Sequence, residues 1–151
     1  MLSERSTIKS ENTVEVIREF NRMYLPAMDL LNSRYLDSSL SNAETRVLYE
    51  LHERKCCTQS QIVSGLHLDK SYASRILHRF GKEGLFVAEP SETDRRVQLL
   101  RLTEKGRKTA EALIELTNRR IREQIQGLTN TQQIRLQQAM TDIMQILGKE
   151  K

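Results

Sequence analysis

The chain has 151 residues, 38% hydrophobic and 29% charged, which suits one domain with a real core or one protomer of an intertwined dimer. No apolar run is long enough to span a bilayer, no signal-peptide apolar region opens the chain, and the two adjacent cysteines provide no disulfide framework, so a membrane protein and a secreted disulfide scaffold are excluded and a cytoplasmic location is expected. The net charge of +4 is unevenly placed: residues 1–57 carry 8 Lys/Arg against 9 Asp/Glu and residues 58–151 carry 16 against 11, the bias of a chain whose later part meets nucleic acid.

In chain order, the first predicted element is a long helix from about Asn12 to Leu36. Val14, Ile17, Phe20, Tyr24, Leu25, Met28, Leu31 and Tyr35 give it a broad apolar surface, and Pro26 is expected to kink or break it. Ser41-x-x-Glu44 is a capping box, in which the Ser hydroxyl and the Glu carboxylate each satisfy a backbone N–H at a helix start. Val47, Leu48 and Leu51 form the buried face of the helix that follows. A second capping box, Thr58-x-x-Gln61, opens a short helix with Ile62, Val63 and Leu66 as its apolar face.

A break near Gly65-Leu66-His67-Leu68 precedes Asp69, an N-cap residue type, and a helix from about Lys70 to Glu83. At about 100° per residue, Ala73, Ile76, Leu77 and Phe80 fall on one arc. Ser71, Ser74, Arg75, His78 and Lys82 fall on the other, with Arg79 at its edge. Arg can bind guanine O6 and N7 together, and Ser can bond base edges or phosphate. An ordinary solvated amphipathic face would have the same composition. The next segment favours DNA: two β-prone runs, Phe86 to Pro90 and Val97 to Leu102, flank a polar connection with Asp94, Arg95 and Arg96 at its tip. Pro90 suits a strand end, and a carboxylate at Asp94 can orient one guanidinium and leave the other free for a groove or a phosphate.

Thr103 begins another helix, with Ala110, Leu113, Ile114, Thr117, Ile121 and Ile125 inward, and Gly127 ends it. Thr129-x-x-Gln132 caps a last helix bearing Ile134, Met140, Ile143, Met144 and Leu147. The predicted fold is mainly α with a small β-hairpin wing. About 38–102 form a winged helix-turn-helix, and about 1–37 and 103–151 form flanking helices of a single domain. One small core cannot cover all the flanking apolar stripes, so a homodimer is expected, with a monomer folded on itself as the alternative.

Leu68-Asp69-Lys70-Ser71, Glu83-Gly84-Leu85, Asp94-Arg95-Arg96 and Leu102-Thr103-Glu104-Lys105-Gly106 together resemble the MarR family of bacterial transcription regulators. Ile17 to Arg22 and Ala43 to Leu51 resemble the subgroup often fused to a GNAT acetyltransferase domain, here without that domain. The resemblance implies a homodimer, built from the first and last helices, that binds double-stranded DNA as a repressor. Ser71, Ser74 and Arg75 would read bases, with His78 on the same face. Lys70, Arg79 and Lys82 would hold phosphates, and Arg95 and Arg96 would reach the minor groove or its backbone. It also implies a cleft near Tyr24, Met28, Tyr35 and His52 for a small aromatic or phenolic effector, although the same side chains read equally well as core.

The chain departs from the family in two places. His67 stands where a turn glycine is common, and Gly65 two residues earlier suggests a differently shaped turn. The first helix has no cysteine, so peroxide sensing by that route is not supported. His52 and Cys56 share the i, i+4 spacing of two metal ligands, but nothing nearby completes a set; no metal and no cofactor is expected. Arg54 and Lys55 could lower the pKa of Cys56 or Cys57, against the simpler reading of two inert thiols. There is no glycine-rich phosphate loop and no nucleophile framework, so an enzyme is not expected. The other readings are the regulatory half of an acetyltransferase and a winged helix that binds protein.

Overall fold

A computed structural model of the protein describes residues 2–28 and 38–148, with side chains from Ser10 onward. The elements are α1 (Leu2–Ala27), α2 (Asn42–Arg54), α3 (Gln59–Leu66), α4 (Lys70–Lys82), β1 (Phe86–Pro90), β2 (Gln98–Leu102), α5 (Glu104–Ile125) and α6 (Asn130–Leu147). The chain divides into two compact units, residues 1–111 and 112–151, with α5 running from the first into the second.

Helix starts follow the expected side-chain chemistry. The Ser41, Thr58 and Thr129 hydroxyls each accept a backbone N–H at 3.2 Å, and Glu44, Gln61 and Gln132 each reach back to accept at 2.9 Å. Asp69 Oδ1 accepts the Tyr72 N–H at 2.9 Å and starts α4. The first helix differs from expectation. It begins at Leu2, ten residues before Asn12, because the apolar period that signals it only starts at Val14. It ends at Ala27, with Pro26 in its last turn. Its predicted continuation to Leu36, including Leu31 and Tyr35, lies outside the described residues.

The core of the first unit is formed by Val47, Leu48 and Leu51 of α2, Ile62 and Leu66 of α3, the Ala73, Ile76, Leu77 and Phe80 face of α4, and Leu85 and Leu100. β1 and β2 pair antiparallel, Phe86 opposite Leu102 and Pro90 opposite Gln98. Cys57 adds a one-residue third rung: its N–H donates to the Leu100 carbonyl at 3.2 Å and its carbonyl accepts the Leu100 N–H at 2.7 Å.

The turn between α3 and α4 keeps its left-handed residue. His67 adopts φ 52°, ψ 35°, and Gly65 lies inside α3. A Cβ at Gly65 would stand 3.0 Å from Arg54 Nη2, the far end of a flexible side chain.

The Leu102-to-Gly106 segment ties the end of α4 to the start of α5. Thr103 Oγ1 donates to the Gly84 carbonyl at 2.6 Å and accepts the Gly106 N–H at 3.1 Å, while the Thr103 N–H donates to Leu85 O at 3.0 Å. Gly106 is required by this close approach: a Cβ would lie 1.9 Å from the Leu85 carbonyl oxygen.

Candidate nucleic-acid interface

α4 divides as its sequence does. Lys70, Ser71, Ser74, Arg75, His78, Arg79 and Lys82 are exposed, while Ala73, Ile76, Leu77 and Phe80 are buried. The cap at Asp69 and the Leu77 and Phe80 anchors fix which side of the helix faces solvent. Beside it, α4 and the hairpin bound a groove of about 540 Å³. Leu77, Phe86 and Leu100 line it together with Ser74, His78, Lys82 and Gln98.

The arginines on this surface are held differently. The Arg75 guanidinium lies over the Tyr72 ring, 5.8 Å from its centroid. Arg79 Nη1 is 2.7 Å from Glu44 Oε1 and its Nε is 3.3 Å from Glu83 Oε1. At the hairpin tip the Ser91 N–H donates to the Val97 carbonyl and the Val97 N–H to that of Asp94, closing the turn. Asp94 Oδ1 accepts the Arg96 backbone N–H at 3.1 Å and its side-chain Nε at 3.2 Å. These bonds hold the Asp94 carboxyl below its ordinary pKa. Arg96 is thus the oriented guanidinium, its side chain 92% exposed, and Arg95 makes no ion pair among the described residues. Lys70, Arg75 and Lys82 are likewise without a carboxylate partner among those residues.

Sequence reasoning missed two residues of this surface. Tyr72, 37% exposed, stands three positions before Arg75, a spacing that puts side chains side by side on a helix and was the available signal. Glu44 was read only as a cap, and its contact with α4 has no local signature.

The residues predicted to line an effector cleft are placed as follows. Tyr24 is half-buried and stacks on Phe20 within α1, ring centroids 5.0 Å apart, and Met28 is half-buried one residue past the helix end. His52 lies on α2 with Nδ1 3.6 Å from Glu53 and Nε2 4.0 Å from Glu111. Its Nδ1 is buried without a hydrogen bond among the described residues. Tyr35 lies outside the described residues. No cluster of three metal-binding side chains occurs among the described residues. Burial pushes the Cys57 thiol pKa up, outweighing the pull of Arg54, so a thiol activated by its basic neighbours is not found at that position.

Residues 40–97 match the MarR family. The "HTH-type transcriptional repressor IacR" of Pseudomonas putida is 33% identical over 91 residues, which is 60% of this chain and 54% of that protein. The chain thus spans about half the length of this curated relative. Two solved structures share the fold. Bordetella bronchiseptica BpsR, whose DNA binding is described as regulated by 6-hydroxynicotinic acid, aligns with TM-score 0.67 and 20% identity over 90% of this chain and 94% of its own. A mutant MarR from E. coli complexed with operator DNA aligns with TM-score 0.62 and 21% identity over 86% and 91%.

Proposed function

We propose that this protein is a DNA-binding transcription regulator of the MarR type, a homodimeric repressor of a pseudo-palindromic operator that a small-molecule ligand releases, a reading supported by the match of residues 40–97 to the MarR family. The observation that carries the reading is a donor-rich cationic face on α4 beside an exposed arginine pair at the hairpin tip. Ser71, Ser74 and Arg75, with His78 beside them, face the bases of the major groove. Lys70 and Lys82 take phosphates, and Arg95 and Arg96 enter the adjacent minor groove or meet its backbone. The regulator works in the cytoplasm, and no helix among the described residues is long and apolar enough to cross a membrane.

Dimerisation is supported by α6, an 18-residue helix with no buried residue. It exposes Ile134, Met144, Ile146 and Leu147, each more than 60% accessible. Apolar surface of this extent marks an interface, and a two-fold dimer would present two α4 helices about 34 Å apart, one turn of DNA. Release by a small aromatic or phenolic molecule is supported by BpsR, whose DNA binding is described as regulated by 6-hydroxynicotinic acid; its cleft is proposed near Tyr24, Met28 and His52, while Tyr35 lies outside the described residues. Such a ligand acts only through different affinities for the two helix spacings.

The test is fluorescence anisotropy of the purified protein on a duplex covering its own promoter and on a random duplex, at two salt concentrations. Promoter-selective binding that weakens steeply with salt is expected, because released counterions supply most of the affinity. Equal weak binding to both duplexes would reject operator reading. Arg75→Ala should cost about 1–3 kcal/mol on the operator and relax preference at one base pair.

A further inference from the structure

Arg79 stands on the exposed side of α4, yet its charge is already spent within the protein. Glu44 Oε1 holds its Nη1 at 2.7 Å and Glu83 Oε1 its Nε at 3.3 Å, with the guanidinium 5.5 Å from the Phe80 ring centroid. Glu44 is the more covered partner, its side chain 15% exposed against 45% for Arg79. Both Glu44 oxygens are in use: Oε2 accepts the Ser41 N–H at 2.9 Å and Oε1 accepts from Arg79. One carboxylate therefore caps α2 and grips the recognition helix at once.

A phosphate approaching Arg79 would meet two carboxylates. Arg79 could turn to it only by leaving Glu44 as a mostly covered charge with its cap contact alone, which is unfavourable. Lys82, three residues on, has the same charge and no carboxylate partner among the described residues. The grip also lies one helical turn from Arg75, so a small roll of α4 at Arg79 turns Arg75 and Ser74 by the same angle.

We propose that Arg79 is a positioning residue: through Glu44 it fixes the roll of α4 against the start of α2, so that Ser74 and Arg75 meet the bases, and it does not bind phosphate. This rests on the DNA-reading function proposed above and replaces the phosphate role expected from sequence. The device also ties the pose of the recognition helix to the point where the chain enters α2 from its N-terminal residues.

The experiment compares the full-length wild type with Arg79→Met, Glu44→Gln, the double variant, Arg79→Lys and Lys82→Met. Binding to promoter and random duplexes is followed across a salt series, with hydrogen exchange of the α4 amides measured in the absence of DNA. Arg79→Met and Glu44→Gln should each lower the promoter-to-random ratio by about tenfold and speed α4 exchange. The double variant should be no worse than either single one, and Arg79→Lys should recover part of the ratio. Lys82→Met, with the same charge change as Arg79→Met, should instead flatten the salt dependence on both duplexes by about one phosphate.

If Arg79→Met flattens the salt slope as Lys82→Met does, while Glu44→Gln tightens binding, Arg79 is a phosphate contact and the proposal falls. Unchanged α4 exchange in both variants would also overturn it. A wild type that does not distinguish promoter from random duplex rejects the functional reading itself, and that arm alone decides it.

Discussion

His67 is a non-glycine residue at a position that favours glycine. Its left-handed backbone, φ 52°, closes α3 and sets the angle at which α4 departs. An L-residue in that region is disfavoured by about 1–2 kcal/mol, and glycine gives back part of this through its larger loss of chain freedom. The imidazole is exposed, and no hydrogen bond or ion pair of it with another described residue offsets the cost. His67→Gly should therefore raise the urea midpoint by the equivalent of about 0.5–1 kcal/mol, with an unchanged m-value, in an equilibrium melt. A lowered midpoint would mean that the side chain contributes stability of its own. Gly106 shows the opposite constraint, because space beneath the Leu85 carbonyl admits no side chain at all.

Between elements, the Glu44–Arg79 pair joins α2 to α4 and carries a pH signature. Burial alone would raise the Glu44 carboxyl, but the Arg79 side chain, the Ser41 amide and the Arg79 charge outweigh it and hold the pKa below 4.5. A carboxyl depressed in the folded state adds stability that is complete above its unfolded pKa and is lost as pH falls through its lower folded value. The acid limb of wild-type stability should thus include a fall below about pH 4.5. Glu44→Gln should lower stability at pH 7 and make the curve shallower in that window, measured by urea melts from pH 3 to 7. Parallel wild-type and variant curves would show that the pair contributes no linkage. The pair is partly open to solvent, so the effect is expected to be modest.

At the scale of the whole molecule, α1 and α6 both leave large apolar side chains open among the described residues. Val14, Val16, Ile17 and Met23 of α1 are 46–59% exposed, and Ile143 and Leu147 of α6 are 39% and 69% exposed. Light scattering should find about twice the 17.6 kDa chain mass. A charged pair, Ile143→Glu with Leu147→Glu, should give a folded monomer. That monomer should bind a full operator at least about tenfold more weakly, since two tethered half-sites bind far better than one. A wild type that runs as a monomer at micromolar concentration would defeat the dimer reading.

Sequence alone determined the parts whose physics is local. Each capping box and the Asp69 cap announced a helix start, because the donors and acceptors lie within three residues of one another. The alternation of Ala73, Ile76, Leu77 and Phe80 with Ser74, Arg75 and His78 foretold both faces of α4, since a fixed helical period turns spacing into direction. Asp94 beside Arg95 and Arg96 foretold an oriented guanidinium at the hairpin tip for the same reason. Tertiary structure alone decided what depends on residues far apart in the chain. It gave Arg79 to Glu44 across 35 positions, put Gly106 under Leu85, laid Cys57 against Leu100 and left α6 uncovered. Charge and spacing say what a side chain can do, but which partner it meets is set only when the core brings separate elements together.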